Sequence, residues 1–310
     1  MAYLQARGNA DGSSAPLYGI SAVFQPFFEE LKRVYYGNEG KLATFVENVQ
    51  NEYLLLRGAS GKSAAEMGIS PSAFGFAMVA FENCKGKAAA INVAALLPGQ
   101  KEKFTKPLFS DERFLLYDMD KPQSAERVFL INAKEHKIEM VSRAPHNASS
   151  DLNGDGFMDK VGQNNQASPY GVMALYGERS VGWGYLFGQE KGVNDLVGII
   201  PKRLHAGANT KGCVVLPSSA FEIIYSATSG FKNGATMVYS HFTGKNAKNP
   251  KIEGHGAFNF NAYLSQSQPN GDASAFRQAE QSKMNLSFID NLPPALSAGE
   301  RIMASNEFVH

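Results

Sequence analysis

The residues best suited to chemistry are a thiol and an imidazole eight positions apart, in the stretch Leu204-His205-Ala206-Gly207-Ala208-Asn209-Thr210-Lys211-Gly212-Cys213-Val214-Val215-Leu216-Pro217. A cysteine becomes a nucleophilic thiolate near neutral pH only beside a base or positive potential, and His205 can serve Cys213 as that base. The residues between them are small and turn-prone, so the segment can fold back on itself. Gly212 permits a tight turn in which the N–H groups of Lys211, Gly212 and Cys213 face a developing oxyanion. The competing reading is a packed cysteine beside a loop histidine, the commoner fate of a thiol because free cysteine is among the most buried residue types. Spacing alone leaves both readings open.

A second constellation is Asp151-Leu152-Asn153-Gly154-Asp155-Gly156-Phe157-Met158-Asp159. Oxygen side chains from Asp151, Asn153, Asp155 and Asp159, with the Phe157 carbonyl and a glycine at the sharp turn, follow the first part of a calcium loop of the EF-hand type. Gly162 stands where the closing bidentate glutamate belongs. A structural calcium competes here with a simple acidic Asn-Gly/Asp-Gly turn. Trp183, flanked by glycines, reads as a packed rim residue or as a platform in a substrate cleft. Cys84 falls on a helical stripe and reads as structural, and His136, His146, His241 and His255 stand isolated.

These groups need elements to hold them. Leu42, Phe45, Val46, Val49, Tyr53 and Leu56 recur at steps of three and four, which predicts a helix over 41–57. Ser70 followed by Pro71 sets a capping hydroxyl before a proline at the first helical position, opening a helix through Phe74, Met78 and Phe81 to about Cys84. Beyond about residue 110 the pattern changes to short runs of β-formers, predicting strands over 113–118, 127–132, 137–142, 170–176 and 235–242. Ser219 and Glu222 have the spacing of a capping box for a short helix. The expected fold is α+β: a lead-in over 1–20, a helical region over 21–105 packed on a mainly antiparallel β core over 106–242, and an irregular polar extension over 243–310.

The chain has 310 residues, 44% of them hydrophobic and 11% aromatic, enough for a substantial core. A net charge of +1, with 19% charged residues, supplies no long-range field to recruit nucleic acid or an anionic membrane. The longest apolar runs, 74–81 and 88–97, are far short of the roughly 18 residues of a spanning helix. Two cysteines are too few for a disulfide framework, and there is no CxxC pair to hold zinc. The first nine residues have neither a basic nor an apolar region of a secretory signal, so the expectation is an intracellular protein or one whose signal is absent from this chain.

His205 and Cys213 with Thr210-Lys211-Gly212-Cys213 resemble the active-site signature of the L,D-transpeptidase catalytic domain, the cysteine enzymes of bacterial peptidoglycan. Asp118, Pro122, Ser124 and Arg127 are similar to a strand pair of the murein-directed branch of that family, as are Leu216-Pro217 and Ser168-Pro169-Tyr170-Gly171. The resemblance covers about residues 70–226. It implies that Cys213 attacks the carbonyl of a meso-diaminopimelate to D-alanine bond in a tetrapeptide stem. It further implies that His205 is the base, oriented by the carbonyl of Ala206 or Gly207, and that the N–H groups of Gly212 and Cys213 form the oxyanion hole. An amine acceptor then gives a 3-3 cross-link, and water gives L,D-carboxypeptidase activity. No cofactor is implied for catalysis. Where many members carry an arginine or asparagine two residues after the cysteine this chain has Val215, and without an arginine there Arg203 or Lys202 is left to bind a substrate carboxylate, with Trp183, Tyr170 and Asn209 as further substrate contacts. The implied setting is the periplasm or cell envelope, with peptidoglycan stem peptides as partners. The rival from another class is a non-catalytic, calcium-binding envelope scaffold, and the distance between the Cys213 sulfur and the His205 ring discriminates between the two.

Overall fold

The computed structural model describes residues 19–33, 35, 37–89, 91–92, 104–162, 168–178, 183–188, 202–208, 210, 212–247, 251–253 and 286–292. Helices α1 (Gln25–Lys32), α2 (Glu39–Leu55) and α3 (Pro71–Cys84) form a layer on one face of a β-sheet. The periodicity of α2 is realised by burial of Leu42, Phe45, Val46, Val49 and Tyr53, and Asn38 caps it by accepting from the Lys41 amide at 3.1 Å. At α3 the expected start is found: Ser70 Oγ accepts from the Ala73 amide and Pro71 occupies the first turn, where its missing N–H costs nothing. This helix is buried almost all round, from Ala73 to Cys84, because it lies between the sheet and the other helices.

Among the described residues the main sheet has nine strands: β1 (Arg57–Gly58), β4 (Phe109–Asp118), β5 (Val128–Asn132), β6 (Lys137–Ser142), β8 (Gly171–Glu178), β9 (Trp183–Gly188), β10 (Lys202–Ala206), β11 (Val214–Leu216) and β12 (Ala235–His241). Their order across the sheet is β1-β6-β5-β4-β12-β8-β9-β10-β11. The sheet is mainly antiparallel, as expected, but not wholly so: β1–β6, β4–β12 and β10–β11 pair in parallel, the other five neighbouring pairs antiparallel. β4 and β12 meet at the centre because β4, β5 and β6 run out towards one edge, β8 to β11 run out to the other, and the chain then returns through the helix 218–227 to lay β12 between the two halves. Two small ladders lie outside it, β2 (Ile91–Asn92) with β3 (Phe104–Thr105) and β7 (Lys160–Gly162) with β13 (Lys251–Glu253).

Alternation along the strands divides the core in two. Phe114, Leu116, Phe129, Ile131, Val172, Ala174, Tyr185, Phe187, Met237 and Tyr239 pack towards the helical layer. Leu115, Tyr117, Leu130, Met173, Leu175, Leu186, Leu204, Val214 and Leu216 face the other way, where α4 (Ser218–Ala227) seals them with Phe221 and Ile224. α4 touches both β6 and β10, which have five strands between them, so the sheet curls around this helix. The capping box expected from Ser219 and Glu222 is not formed. Pro217 occupies the N-cap and Ser219 lies inside the first turn, because the proline follows directly on the last residue of β11. Of the polar extension, 251–253 forms β13, and a helical turn, α5 (Ser287–Asp290), docks on α2 through Leu286 and Ile289, with Phe288 edge-on to Phe45 at 5.3 Å. These parts are regular where irregular structure was expected.

Candidate active site

His205 belongs to a strand, not to the loop expected for it. β10 pairs antiparallel with β9, His205 opposite Trp183, and parallel with β11, His205 beside Val215. Leu204 is 1% exposed in the core under α4, so alternation puts Arg203 and His205 on the opposite face of the strand. The same register sets Val214 beside Leu204, which brings Cys213, one residue earlier, abreast of Arg203. Parallel neighbours usually need a crossover of a dozen or more residues. Here residues 207–213 suffice because β10 has five residues and β11 three, so the return path is short. Gly212 turns at φ +94°, which a side-chain-bearing residue adopts only with strain. The Gly207 amide donates to the Leu216 carbonyl at 3.0 Å and ties the two strand ends together.

The imidazole is held by its own strand. His205 Nδ1 lies 2.8 Å from the Ala206 carbonyl oxygen, and since a carbonyl only accepts, Nδ1 carries the proton. Nε2 is left with the lone pair that a thiol proton requires. The Cys213 thiol is hydrogen-bonded to this ring, and that bond, with the Ala206 carbonyl, holds the imidazole pKa above its usual value against the opposing pull of burial and of the Arg203 charge. Cys213 is half-buried, partly open to solvent. The other cysteine provides the contrast. Cys84 is 1% exposed and burial pushes its thiol up to about 12, so it stays protonated and inert.

The structure thus gathers Cys213, His205, Gly212, Arg203 and the Ala206 carbonyl along the short β10–β11 pair. It does not bring Tyr170 there. Tyr170 precedes Gly171, which pairs with Ser240, whereas the far end of β8 at Glu178 pairs with Gly184, next to the Trp183–His205 pair. The strand between is eight residues long, about 26 Å at full extension. Tyr170 is moreover 6% exposed, its phenol pushed up to about 12 by burial. Asn209, Lys211, the side chains of Lys202 and Trp183, and His255 lie outside the described residues.

The acidic turn is closed by its own amides. Asp151 accepts from the Gly154 and Gly156 amides at 2.6 and 2.9 Å, Asn153 from Asp155 at 3.0 Å, Asp155 from Phe157 at 2.9 Å, and Asp159 from Leu152 at 2.8 Å. Among the described residues no three acidic, histidine or cysteine side chains converge as a metal ion requires. The turn is also anchored from below. Arg127, fully buried, donates to the Lys121 and Ala144 carbonyls and to His146 Nδ1 at 3.2 Å. Since a guanidinium only donates, the His146 proton sits on Nε2, 3.7 Å from Asp151. Burial first, and the Arg127 charge second, lower this histidine to about 4, so it is a neutral strut at physiological pH. His136 pairs with Glu52 at 2.7 Å, and His241 stacks on Phe76.

One further residue at the site stands in the signature stretch of the sequence without a role assigned to it there. Thr210 Oγ1 donates to the Cys213 carbonyl at 2.8 Å. Its signal in the sequence is a hydroxyl three residues before the cysteine.

No family model and no curated protein matches the chain. A solved structure that it matches is the L,D-transpeptidase (residues 123–326) from Xylanimonas cellulosilytica DSM 15894, at 16% identity and a TM-score of 0.24. The match covers 42% of this chain and 60% of that one. At that score the likeness is distant, and the chemistry of the site has to be read from its own residues.

Proposed function

We propose that the protein is a cysteine-dependent acyltransferase of the L,D-transpeptidase type, acting on peptidoglycan tetrapeptide stems. The observation that carries the reading is the Cys213 thiol hydrogen-bonded to a His205 ring whose Nδ1–H is committed to the Ala206 carbonyl. A structural cysteine has no need of such a base, and a scaffold has no need of its orientation. In the reaction His205 Nε2 takes the thiol proton and the Cys213 sulfur attacks the diaminopimelate carbonyl. The tetrahedral oxyanion is stabilised by the N–H groups of Gly212 and Cys213. Collapse breaks the C–N bond, and the imidazolium returns the proton to the departing D-alanine amine, leaving a thioester on Cys213. An acceptor amine then attacks the thioester, its proton passes to His205, and the thiol is restored with a 3-3 cross-link formed. Water in place of the amine makes the same cycle an L,D-carboxypeptidase. Arg203, one residue before the Leu204–Val214 pair and on the His205 face, is the residue we assign to bind a carboxylate of the stem.

The substrate assigns the protein to the cell envelope. Incubation with disaccharide-tetrapeptides, followed by intact-protein mass spectrometry and muropeptide analysis, tests the reading. The expected result is a thioester adduct with loss of D-alanine, absent in Cys213→Ala and retained in Cys84→Ala. Wild-type turnover by Cys213→Ala refutes the assignment.

A further inference from the structure

We propose that Thr210 is a positioning residue: its hydroxyl holds the peptide group of Cys213 and so sets the reactivity of the thiol–imidazole pair. The bond from Thr210 Oγ1 to the Cys213 carbonyl, 2.8 Å, closes the turn that delivers the chain into β11. Inside that turn stands Gly212 at φ +94°, a conformation that glycine enters at no steric cost and leaves as easily. A bond from outside the glycine is needed to keep it there. The β10–β11 ladder begins with Leu204 beside Val214, so Cys213 is the residue just ahead of the paired strand.

Two constraints therefore meet at the sulfur. The ring is fixed from the strand side, where His205 Nδ1 donates to the Ala206 carbonyl at 2.8 Å. The thiol is fixed from the turn side by Thr210, and the Cys213–His205 hydrogen bond depends on both. A neutral hydrogen bond of this kind contributes about 1 kcal/mol. Its loss would lower the population of the aligned pair about fivefold.

The test uses the whole chain as wild type, Thr210→Val, which keeps the shape and removes the donor, and Thr210→Ser, which keeps the donor. The probe is iodoacetamide, with adducts located by mass spectrometry across a pH series. Cys84, buried and protonated, stays silent in the folded protein and reports any unfolding. Thr210→Val is expected to slow Cys213 alkylation at pH 7 about fivefold and to move the inflection up towards the ordinary thiol value of about 8.5. Thr210→Ser should restore both, with melting temperatures unchanged in the two variants. In turnover of a tetrapeptide stem, kcat should fall in Thr210→Val while KM holds.

A Thr210→Val profile that matches wild type overturns the inference, and so does a Thr210→Ser variant as impaired as Thr210→Val. The turnover readout rests on the acyl-transfer reading; the alkylation readout does not. If wild type forms no thioester while the Val and Ser variants still split in alkylation, the transpeptidase reading falls and the role of Thr210 stands.

Discussion

Glu30 should make the protein less stable as the pH rises from about 4.5 to 7, and its amide variant should abolish that loss. The residue lies on α1 with Oε2 buried and, among the described residues, without a hydrogen-bond partner. Burial raises its pKa from 4.5 to about 7; the charges of Arg33 and Lys245 offset part of the shift, and that of Asp120 adds to it. Tyr239, also buried with an unpartnered hydroxyl, feels the same carboxylate. Below pH 4.5 the group is protonated in both the folded and the unfolded chain and costs nothing. Between 4.5 and about 7 the unfolded chain ionises first, so the folded state binds more protons and stability falls with pH. Each pH unit is about 1.4 kcal/mol, which over this window would amount to about 3.5 kcal/mol and, discounted for the part of the side chain that solvent reaches, to at most about 3 kcal/mol, constant above pH 8. Glu30→Gln removes the ionisation and keeps the shape. Urea unfolding at pH 4.5 and pH 8 should show the variant equal to wild type at the lower pH and up to about 3 kcal/mol more stable at the higher. A variant destabilised equally at both would refute the reasoning, because it would mean that the carboxylate is held as a charged partner.

Packing and the acidic turn give two more expected outcomes. Gly75→Ala should destabilise by about 1–2 kcal/mol in thermal or urea unfolding: a Cβ would stand 2.8 Å from three carbons of the Phe27 ring, which is itself locked edge-on to Phe76 at 5.0 Å, and this overpacking exceeds the roughly 1 kcal/mol gained in helix propensity. Because the turn 151–159 is held by its own amides, EDTA should leave the melting temperature unchanged; a drop of several degrees, reversed by added calcium, would show that its carboxylates serve a cation instead.

The helices were legible where the signal was local. The stripe of α2 and the Ser70-Pro71 start of α3 depend on residues three or four apart, and no distant strand alters them. β10 is hard to read in the sequence because it is short and, of its described residues, Leu204 alone is a buried hydrophobic. Its status as a strand comes from pairing with β9 and β11, which periodicity does not record. Tyr170 shows the other limit. A motif position tells which residue precedes a strand but not how far along the sheet that strand begins, and β8 begins at Gly171, five residues before Tyr176, the residue level with Arg203 through Tyr185.

The spacing of His205 and Cys213 was legible, and the reason that it works lies in register. Shifting β10 by one residue against β11 would turn Leu204 out of the core and His205 into it, since neighbours along a strand alternate faces. That slip is opposed by the burial of Leu204, Val214 and Leu216 together on the face under α4, and by the Gly207 amide on the Leu216 carbonyl. The apolar residues around the motif therefore do more than surround it. They select the register in which the imidazole meets the thiol, while Thr210 and Gly212 shape the turn that leads into β11. A polar residue in place of Val214 should accordingly disturb the pair without touching either member of it, read as slower alkylation of Cys213 by iodoacetamide; an unchanged rate would show that the register is set elsewhere.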